Sequence, residues 1–203
     1  MTATVFTIGH SNHPLEAFIA LLQQHAIACL CDVRSAPVSK YNPQFHRNSL
    51  VAALPEHGIA YLFLGKELGA RSNDPECYVD GKVQYDRLAA TPLFGQGLER
   101  VLQEAATRRI ALMCAEKDPL DCHRTILVSR RLVERGCEVQ HILADGALEP
   151  HAEAVRRLRR QLGIADADLF FSDEELDAAA YDKQGNRVAY QTTEDETAMR
   201  FAD

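Results

Sequence analysis

The residues best suited to chemistry are concentrated in one segment, CAEKDPLDCHR, which runs from Cys114 to Arg124. It contains two thiols, those of Cys114 and Cys122, and two groups that can transfer protons, Glu116 and His123. A thiol beside a helix N-terminus and a cation has a lowered pKa and is a stronger nucleophile. We therefore interpret either cysteine as a candidate nucleophile, with Glu116 or His123 as the acid or base.

Two earlier apolar runs also end in polar side chains. The run TVFTIG is followed by His10 and Ser11, and the run IACLCDV leads into Asp32 and Arg34. In open parallel sheets, ligands bind beyond the carboxyl ends of the strands. We therefore expect these side chains to share one sheet edge with Cys114, and His10 is a further candidate for proton transfer. The candidate substrate contacts at this edge are Arg34, Arg124, Ser11, Asp32 and Ser39.

The pair Asp118-Pro119 predicts the start of a helix that continues to Arg135. The free N–H groups and the dipole of a helix N-terminus attract anions. Arg34 and Arg124 would add bidentate donors for phosphate, sulfate or carboxylate. The sequence therefore predicts an anion site where this helix begins.

Short apolar runs alternate with helical patterns along most of the chain. The predicted strands are 4–9, 27–33, 59–64, 109–115 and 139–143. The predicted helices are 14–25, 48–56, 85–90, 93–107 and 119–135, and residues 65–82 are predicted to form a long loop. This alternation is typical of the α/β class. Because the strands are continuously apolar, we expect a three-layer, mostly parallel sheet of about five strands with helices on both faces.

The character of the chain changes near residue 149. We therefore divide it into an α/β domain, 1–148, and a C-terminal appendage, 149–203. The appendage begins with a predicted basic helix, 149–162, and continues into residues 163–203, which contain eleven acidic and three basic residues. Residues 181–191 fit either a hairpin or a disordered segment. The tail therefore carries a net charge of −8 and the whole chain one of −7, so the rest of the chain is close to neutral.

The composition argues against a membrane protein and against a secreted disulfide framework. No apolar run reaches the roughly 18 residues that span a bilayer, and residues 1–9 lack a signal-peptide pattern. We therefore expect a cytoplasmic location and no membrane partner. In that compartment the six cysteines are expected to be thiols.

Each candidate residue also has a structural interpretation. Cys122 and His123 fit packed residues beside the buried stripe of the predicted helix. Arg34 fits a structural partner of Asp32, and His10 fits a hydrogen-bonding group of its own loop.

A metal centre is a second chemical interpretation of the same cluster. Cys114, Cys122 and His123, together with His10, are soft ligands that suit zinc or iron. However, adjacent ligands at 122 and 123 would point about 100° apart on a helix. We therefore assign no metal ligand and leave the cofactor unspecified. The sequence also lacks the glycine-rich dinucleotide and P-loop signatures.

At these residues the sequence resembles the DUF488 family, a group of largely uncharacterised bacterial and archaeal proteins. The resemblance covers roughly residues 4–145. Its matching pieces are Thr7-Ile8-Gly9-His10-Ser11, Asp32-Val33-Arg34 with Pro37 and Ser39, Leu68-Gly69, Tyr78-Val79-Asp80-Gly81 with Tyr85, Cys114-Ala115-Glu116, and Cys122-His123-Arg124. The resemblance favours a site at the polar strand ends, and it implies no particular reaction.

Our interpretation is an enzyme that acts on a phosphate-bearing small molecule, nucleotide or nucleic acid through a Cys/His/Arg site. The alternatives are a non-catalytic module that binds an anion or a nucleotide, and a Cys/His metal-binding protein. A run of four arginines within residues 156–160 suits a nucleic-acid partner, although the acidic tail opposes one. The sequence does not specify an oligomeric state.

Overall fold

A six-stranded sheet forms the centre of the computed structural model, which describes residues 3–39, 41–165 and 167–192. Its strands are β1 (Thr4–Gly9), β2 (Cys29–Asp32), β3 (Ala60–Phe63), β6 (Ile110–Cys114), β7 (Glu138–Ile142) and β8 (Leu148–Pro150), and a separate hairpin pairs β4 (Tyr78–Val79) with β5 (Lys82–Val83). The order in the large sheet is β3-β2-β6-β1-β7-β8. The first five of these pair in parallel, and β8 joins the edge antiparallel to β7. The predicted α/β class is confirmed, with one additional edge strand.

Helices lie on both faces of this sheet. They are α1 (Leu15–Gln24), α2 (Arg47–Ala53), α3 (Gly65–Leu68), α4 (Tyr85–Ala89), α5 (Pro92–Thr107), α6 (Arg130–Glu134), α7 (His151–Gln161) and α8 (Asp173–Val188). Within the described residues, no helix is both long and apolar enough to cross a membrane.

The alternation of side chains along β6 shows how the two faces are filled. Ala111 and Met113 join one apolar cluster with Phe18 of α1. Leu112 and Cys114 join the other cluster, which includes residues of α5 and α6. Because both faces are covered, the strands carry apolar residues at consecutive positions, as the sequence predicted.

The prediction of one helix over 119–135 was wrong. Pro119–Asp121 form a 3₁₀ turn, Cys122 is extended with φ −137° and ψ 141°, and a π-helix covers Arg124–Ser129 before α6 begins. The carboxylate of Asp118 accepts a hydrogen bond from the Leu120 N–H, which caps the short turn and not a long helix. The helical segment therefore begins about five residues later than the Asp-Pro pair suggests.

The predicted long loop at 65–82 was also wrong. Its residues form α3, a 3₁₀ turn at Pro75–Cys77 and the β4–β5 hairpin. Asp80 and Gly81 make the hairpin turn with positive φ values of 50° and 73°, which suits an Asp-Gly pair.

The C-terminal part is more helical than its composition suggests. Residues 173–188 form α8, so the expectation of a hairpin or disorder over 181–191 is corrected. A capping box between Ser172 and Glu175 starts this helix. Leu176, Ala180 and Tyr181 are buried along it. The S-x-x-E pattern and this apolar spacing were the sequence signals that should have predicted it.

Three of the four arginines on α7 form ion pairs, and Arg156 binds Glu153 within the same helix. Arg157 binds the carboxylates of Asp118 and Glu149. Arg159 is buried and binds Asp173 and Asp177 of α8. The acidic C-terminal part therefore neutralises the basic helix locally.

Candidate functional site

The centre of the candidate site is the carboxyl edge of three neighbouring strands, β2, β6 and β1. The parallel pairing of β1 and β6 continues past the strand ends, because the backbone N–H of His10 donates to the Cys114 carbonyl over 2.9 Å. The N–H of Ser11 likewise donates to the Ala115 carbonyl. Since β6 lies between the other two strands, Cys114 is flanked by His10 on one side and by the Asp32–Arg34 segment on the other.

Cys114, Cys122 and His123 form a buried cluster. The Nδ1 atom of His123 lies 3.6 Å from Sγ of Cys114 and 3.9 Å from Sγ of Cys122. The other ring nitrogen, Nε2, donates to the Val33 carbonyl over 3.1 Å. This second hydrogen bond fixes the ring, so Nδ1 faces the two sulfurs.

The extended backbone of Cys122 is what turns its side chain toward the cluster. If Cys122 and His123 were consecutive helical residues, their side chains would diverge by about 100°. In the structure Cys122 is extended and His123 is helical, and both reach Cys114. The N–H of Arg124 also donates to the Cys122 sulfur over 3.4 Å.

The two thiols differ in their electrostatic surroundings. Hydrogen bonding with Cys122, followed by burial, raises the pKa of Cys114. Burial opposes ionisation of Cys122 as well, but hydrogen bonding with Cys114 and the charge of Arg124 outweigh it and lower the pKa of Cys122. Desolvation and the nearby Cys122 raise the pKa of Glu116. Negative charge in this cluster is therefore favoured on the sulfur of Cys122 and not on that of Cys114.

Arg34 is held by Asp32 at the edge of the site. Its Nε and Nη2 atoms donate to the two carboxylate oxygens of Asp32 over 2.9 and 2.7 Å. Nη2 also donates to the Phe45 carbonyl, and the Tyr61 hydroxyl donates to Asp32. The structure therefore contains the ion pair that the structural interpretation of Arg34 expected. The remaining nitrogen, Nη1, donates to Nε2 of His10.

His10 is a neutral acceptor in this arrangement. Its Nδ1 donates to the carbonyl of Ser11 over 2.8 Å, and its Nε2 accepts from Nη1 of Arg34 over 3.2 Å. The ring stacks on Phe45 with centroids 4.4 Å apart. Burial, together with the charge of Arg34, lowers the pKa of His10 to about 4.

Arg124 does not face the same space as Arg34. Its side chain is 1% exposed and donates to the carbonyls of Glu116 and Lys117 over 2.8 and 3.4 Å. It thereby anchors the connection that follows β6. The expected pairing of two arginines around one anion at the start of a helix is therefore not present in this conformation.

A cleft with a volume of about 340 Å³ opens above the cluster. Six of the predicted site residues line it: His10, Arg34, Ser39, Cys114, Glu116 and His123. The other four, Ser11, Asp32, Cys122 and Arg124, lie beside or beneath its walls. Ser11 is a turn residue with φ 47°, and Ser39 accepts a hydrogen bond from the Asn42 N–H.

Sequence reasoning missed several residues of the cleft. Arg71 is an exposed side chain whose guanidinium lies 4.3 Å from the ring centre of Tyr190. Tyr85 also lines the cleft, and its buried hydroxyl has no hydrogen-bond partner among the described residues. The other missed residues include Ser35, Asp121 and Tyr190. Only Tyr85 had a sequence signal, as one of the pieces that carry the family resemblance.

The fold and the site define a three-layer α/β protein with a Cys/Cys/His cluster at the carboxyl edge of its sheet. The family model named "Domain of unknown function DUF488" matches residues 14–131, more than half of the chain. The chain belongs to the DUF488 family, as the resemblance predicted. His10 and Ser11 lie outside the matched segment, and the other candidate residues lie within it. No curated protein and no solved structure matches the chain.

Proposed function

We propose that this protein is an enzyme that acts on a small phosphate-bearing molecule, such as a nucleotide, bound in the cleft above Cys114. The observation that carries the proposal is the contact between Sγ of Cys114 and Nδ1 of His123, 3.6 Å apart, at a surface that faces the cleft. The carboxylate of Glu116 lines the same cleft. A thiol, an imidazole and a carboxylate in one concave site are the groups that enzymes use for nucleophilic and proton-transfer chemistry.

The size of the cleft suits a small ligand. Its volume of about 340 Å³ lies at the lower end of the range of roughly 300–1,000 Å³ that is typical of small-molecule sites. Residues from distant segments form the walls. Val188, the last residue of α8, and Tyr190, which follows this helix, line one side.

The anionic part of the ligand is expected at Arg71 and Arg34, and not at Arg124. Arg71 and Arg34 line the cleft, whereas Arg124 does not line it and both of its Nη atoms donate to backbone carbonyls. Glu116 and Asp121 also line the cleft and repel an anion. A ligand with one anionic end would therefore place that end at the arginines and its reacting end at Glu116, His123 and Cys114.

The first test is ligand binding by calorimetry, with inorganic phosphate, AMP, ATP and adenosine as probes. We expect the phosphate-bearing probes to bind and adenosine to bind more weakly. Arg71→Ala should weaken phosphate-dependent binding about tenfold, because a hydrogen bond to a charged group contributes about 1.5–3 kcal/mol. Arg156→Ala, an exposed arginine on α7 away from the cleft, is the matched control and should leave binding unchanged. Equal effects of the two variants would contradict the proposal.

The second test separates an enzyme from a binding module. Probes that bind are incubated with the protein and with Cys114→Ala and Glu116→Gln, and the products are analysed by mass spectrometry. Conversion of a probe by the unmodified chain, lost in both variants, supports the enzyme. Binding that survives both substitutions, with no conversion of any bound probe, would instead identify the non-catalytic nucleotide-binding module.

A further inference from the structure

The side chains of Cys114, Cys122 and His123 bring together three donor atoms that suit a metal ion. We propose that these three side chains bind one Zn²⁺ ion, with a fourth coordination position that opens toward the cleft. The binding of the ion does not depend on the proposed function, and only its use in the reaction rests on that function. With the ion bound, Cys114 and His123 are ligands, and Glu116 is the group in the cleft that would transfer protons.

The spacing of the three donor atoms matches a zinc site. With Zn–S bonds of about 2.3 Å and Zn–N bonds of about 2.0–2.1 Å, tetrahedral angles place sulfur and nitrogen about 3.6 Å apart. The observed distances from Nδ1 of His123 are 3.6 Å to Cys114 and 3.9 Å to Cys122. All three donor atoms lie within 4.8 Å of one another. Two sulfurs on one tetrahedral zinc ion lie about 3.8 Å apart, so binding draws the two sulfurs together by at most about 1 Å.

The backbone removes the objection that adjacent residues cannot share one ion. That objection assumes a helix at Cys122, where consecutive side chains diverge. Because Cys122 is extended, its sulfur and the His123 ring converge on Cys114. The Asp118 cap and the two hydrogen bonds from Arg157 to that carboxylate hold the turn that places Cys122.

The histidine already has the surroundings of a metal ligand. A ligating imidazole usually donates its other N–H to a backbone carbonyl or a carboxylate, which fixes the ring. Here Nε2 of His123 donates to the Val33 carbonyl over 3.1 Å. The lone pair on Nδ1 is consequently directed at the two sulfurs.

The open position follows from which ligands reach the cleft. Cys114 and His123 line it, whereas Cys122 lies behind them. Three protein ligands with one open position are typical of catalytic zinc, and four protein ligands are typical of structural zinc. Two thiolates and an imidazole favour Zn²⁺ over Mg²⁺ or Ca²⁺, which prefer oxygen. Binding forms two Zn–S bonds and one Zn–N bond and releases the two thiol protons to solvent.

The full chain is purified without chelators and dialysed against a known concentration of free Zn²⁺. Its zinc content is then measured by elemental analysis. We expect about one zinc per chain. Cys114→Ala, Cys122→Ala and His123→Ala should each reduce the content at least fivefold. Cys137→Ala, a buried cysteine outside the cluster, is the matched control and should keep the ion. Circular dichroism shows which variants are folded.

Cobalt replacement gives a readout that does not depend on the variants. Co²⁺ bound by thiolates gives an intense thiolate-to-metal charge-transfer absorption, which we expect in the unmodified chain and in Cys137→Ala. Fewer than about 0.2 zinc ions per chain in excess Zn²⁺, with no such absorption, would overturn the proposal. A Cys114–Cys122 disulfide in place of the metal would overturn it as well.

The two proposals can fail separately. If Arg71→Ala and Glu116→Gln keep the zinc while no phosphate-bearing probe binds the unmodified chain, the zinc site stands and the proposed function is wrong. If the probes bind and react while the unmodified chain takes up fewer than about 0.2 zinc ions in excess Zn²⁺, the proposed function stands and the zinc site is wrong.

Discussion

Asp32 and Arg34 form a buried, doubly hydrogen-bonded ion pair beside the cluster, with N–O distances of 2.9 and 2.7 Å. The two side chains are 0% and 5% exposed. Asp32, the last residue of β2, and Arg34, just after this strand, thereby satisfy each other without a ligand. Arg34 is consequently a rigid wall of the cleft with one nitrogen directed at His10.

Arg34→Ala is expected to destabilise the fold by about 3–5 kcal/mol, because it leaves the Asp32 carboxylate buried without its partner. Arg34→Lys should be nearly as costly, since an ammonium cannot form both hydrogen bonds. The free energy of unfolding in urea measures the effect. Asp182→Ala, which removes the exposed partner of Arg130, should change it by less than about 1 kcal/mol. A loss of similar size in both variants would contradict this account.

Stability is expected to fall at acid pH. The cause is a buried row of hydrogen-bonded side chains that joins the sheet to α7 and α8. The Thr7 hydroxyl bonds His141, His141 bonds His151, and His151 bonds the Tyr181 hydroxyl over 2.7, 3.0 and 2.7 Å. Burial lowers the pKa of His151 to about 4 and also lowers the pKa of His141. The charged groups beside these hydrogen-bonded side chains include Arg130, which lies against Tyr181, and Arg124 and Arg157, which lie near His141.

The unfolded chain binds these protons near pH 6.5, so it gains protons before the folded chain does. The stabilisation is therefore complete above pH 6.5 and is lost as the pH falls toward about 4. For His151 alone the loss is about 3 kcal/mol. Urea unfolding at several pH values measures the slope between those limits. His151→Phe should reduce the slope, with a remainder from His10 and His141, and an unchanged slope would refute the assignment.

Gly9→Ala is expected to disrupt the site. A Cβ atom at Gly9 would lie 1.8 Å from the Glu116 carbonyl oxygen, so the connection after β6 would have to move. We expect a loss of several kcal/mol, since overpacking with a backbone shift costs about 1–3 kcal/mol or more. Gly95→Ala, on α5 with open space around it, should instead stabilise the protein by roughly 0.5–1 kcal/mol. Thermal unfolding of both variants distinguishes a steric effect from a general intolerance of glycine replacement.

Tyr85→Phe is expected to raise the free energy of unfolding by about 1 kcal/mol, because the hydroxyl is buried without a partner among the described residues. If the proposed function is correct, the same change weakens ligand binding in the cleft. Tyr78→Phe provides the opposite case, because its hydroxyl donates to the Ser72 carbonyl over 2.7 Å. That variant should lose about 1 kcal/mol. A destabilised Tyr85→Phe would mean that the hydroxyl has a bound partner.

Much of the fold could be predicted from local patterns. The five parallel strands, α1, α5 and α7 follow from apolar runs and helical spacing, because those signals act over a few neighbouring residues. The same patterns predicted that His10, Arg34 and Cys114 would meet, since the carboxyl ends of parallel strands lie at one edge. Family membership was also recognisable from the short motifs at these ends.

Tertiary structure decided which of these groups faces the cleft. The sequence left open whether Arg34 pairs with Asp32 or faces a ligand, and it did not indicate that Arg124 turns to the Glu116 carbonyl or that Arg71 lies against Tyr190. Each outcome depends on which partner is nearest after distant segments pack, and a guanidinium satisfied by one acceptor is no longer available to a ligand. The extended backbone at Cys122 has the same origin. Asp118 is held by Arg157 from α7, and the Leu120 carbonyl accepts a hydrogen bond from Gln184 of α8. These long-range contacts fix the turn that joins both sulfurs and His123 in one cluster.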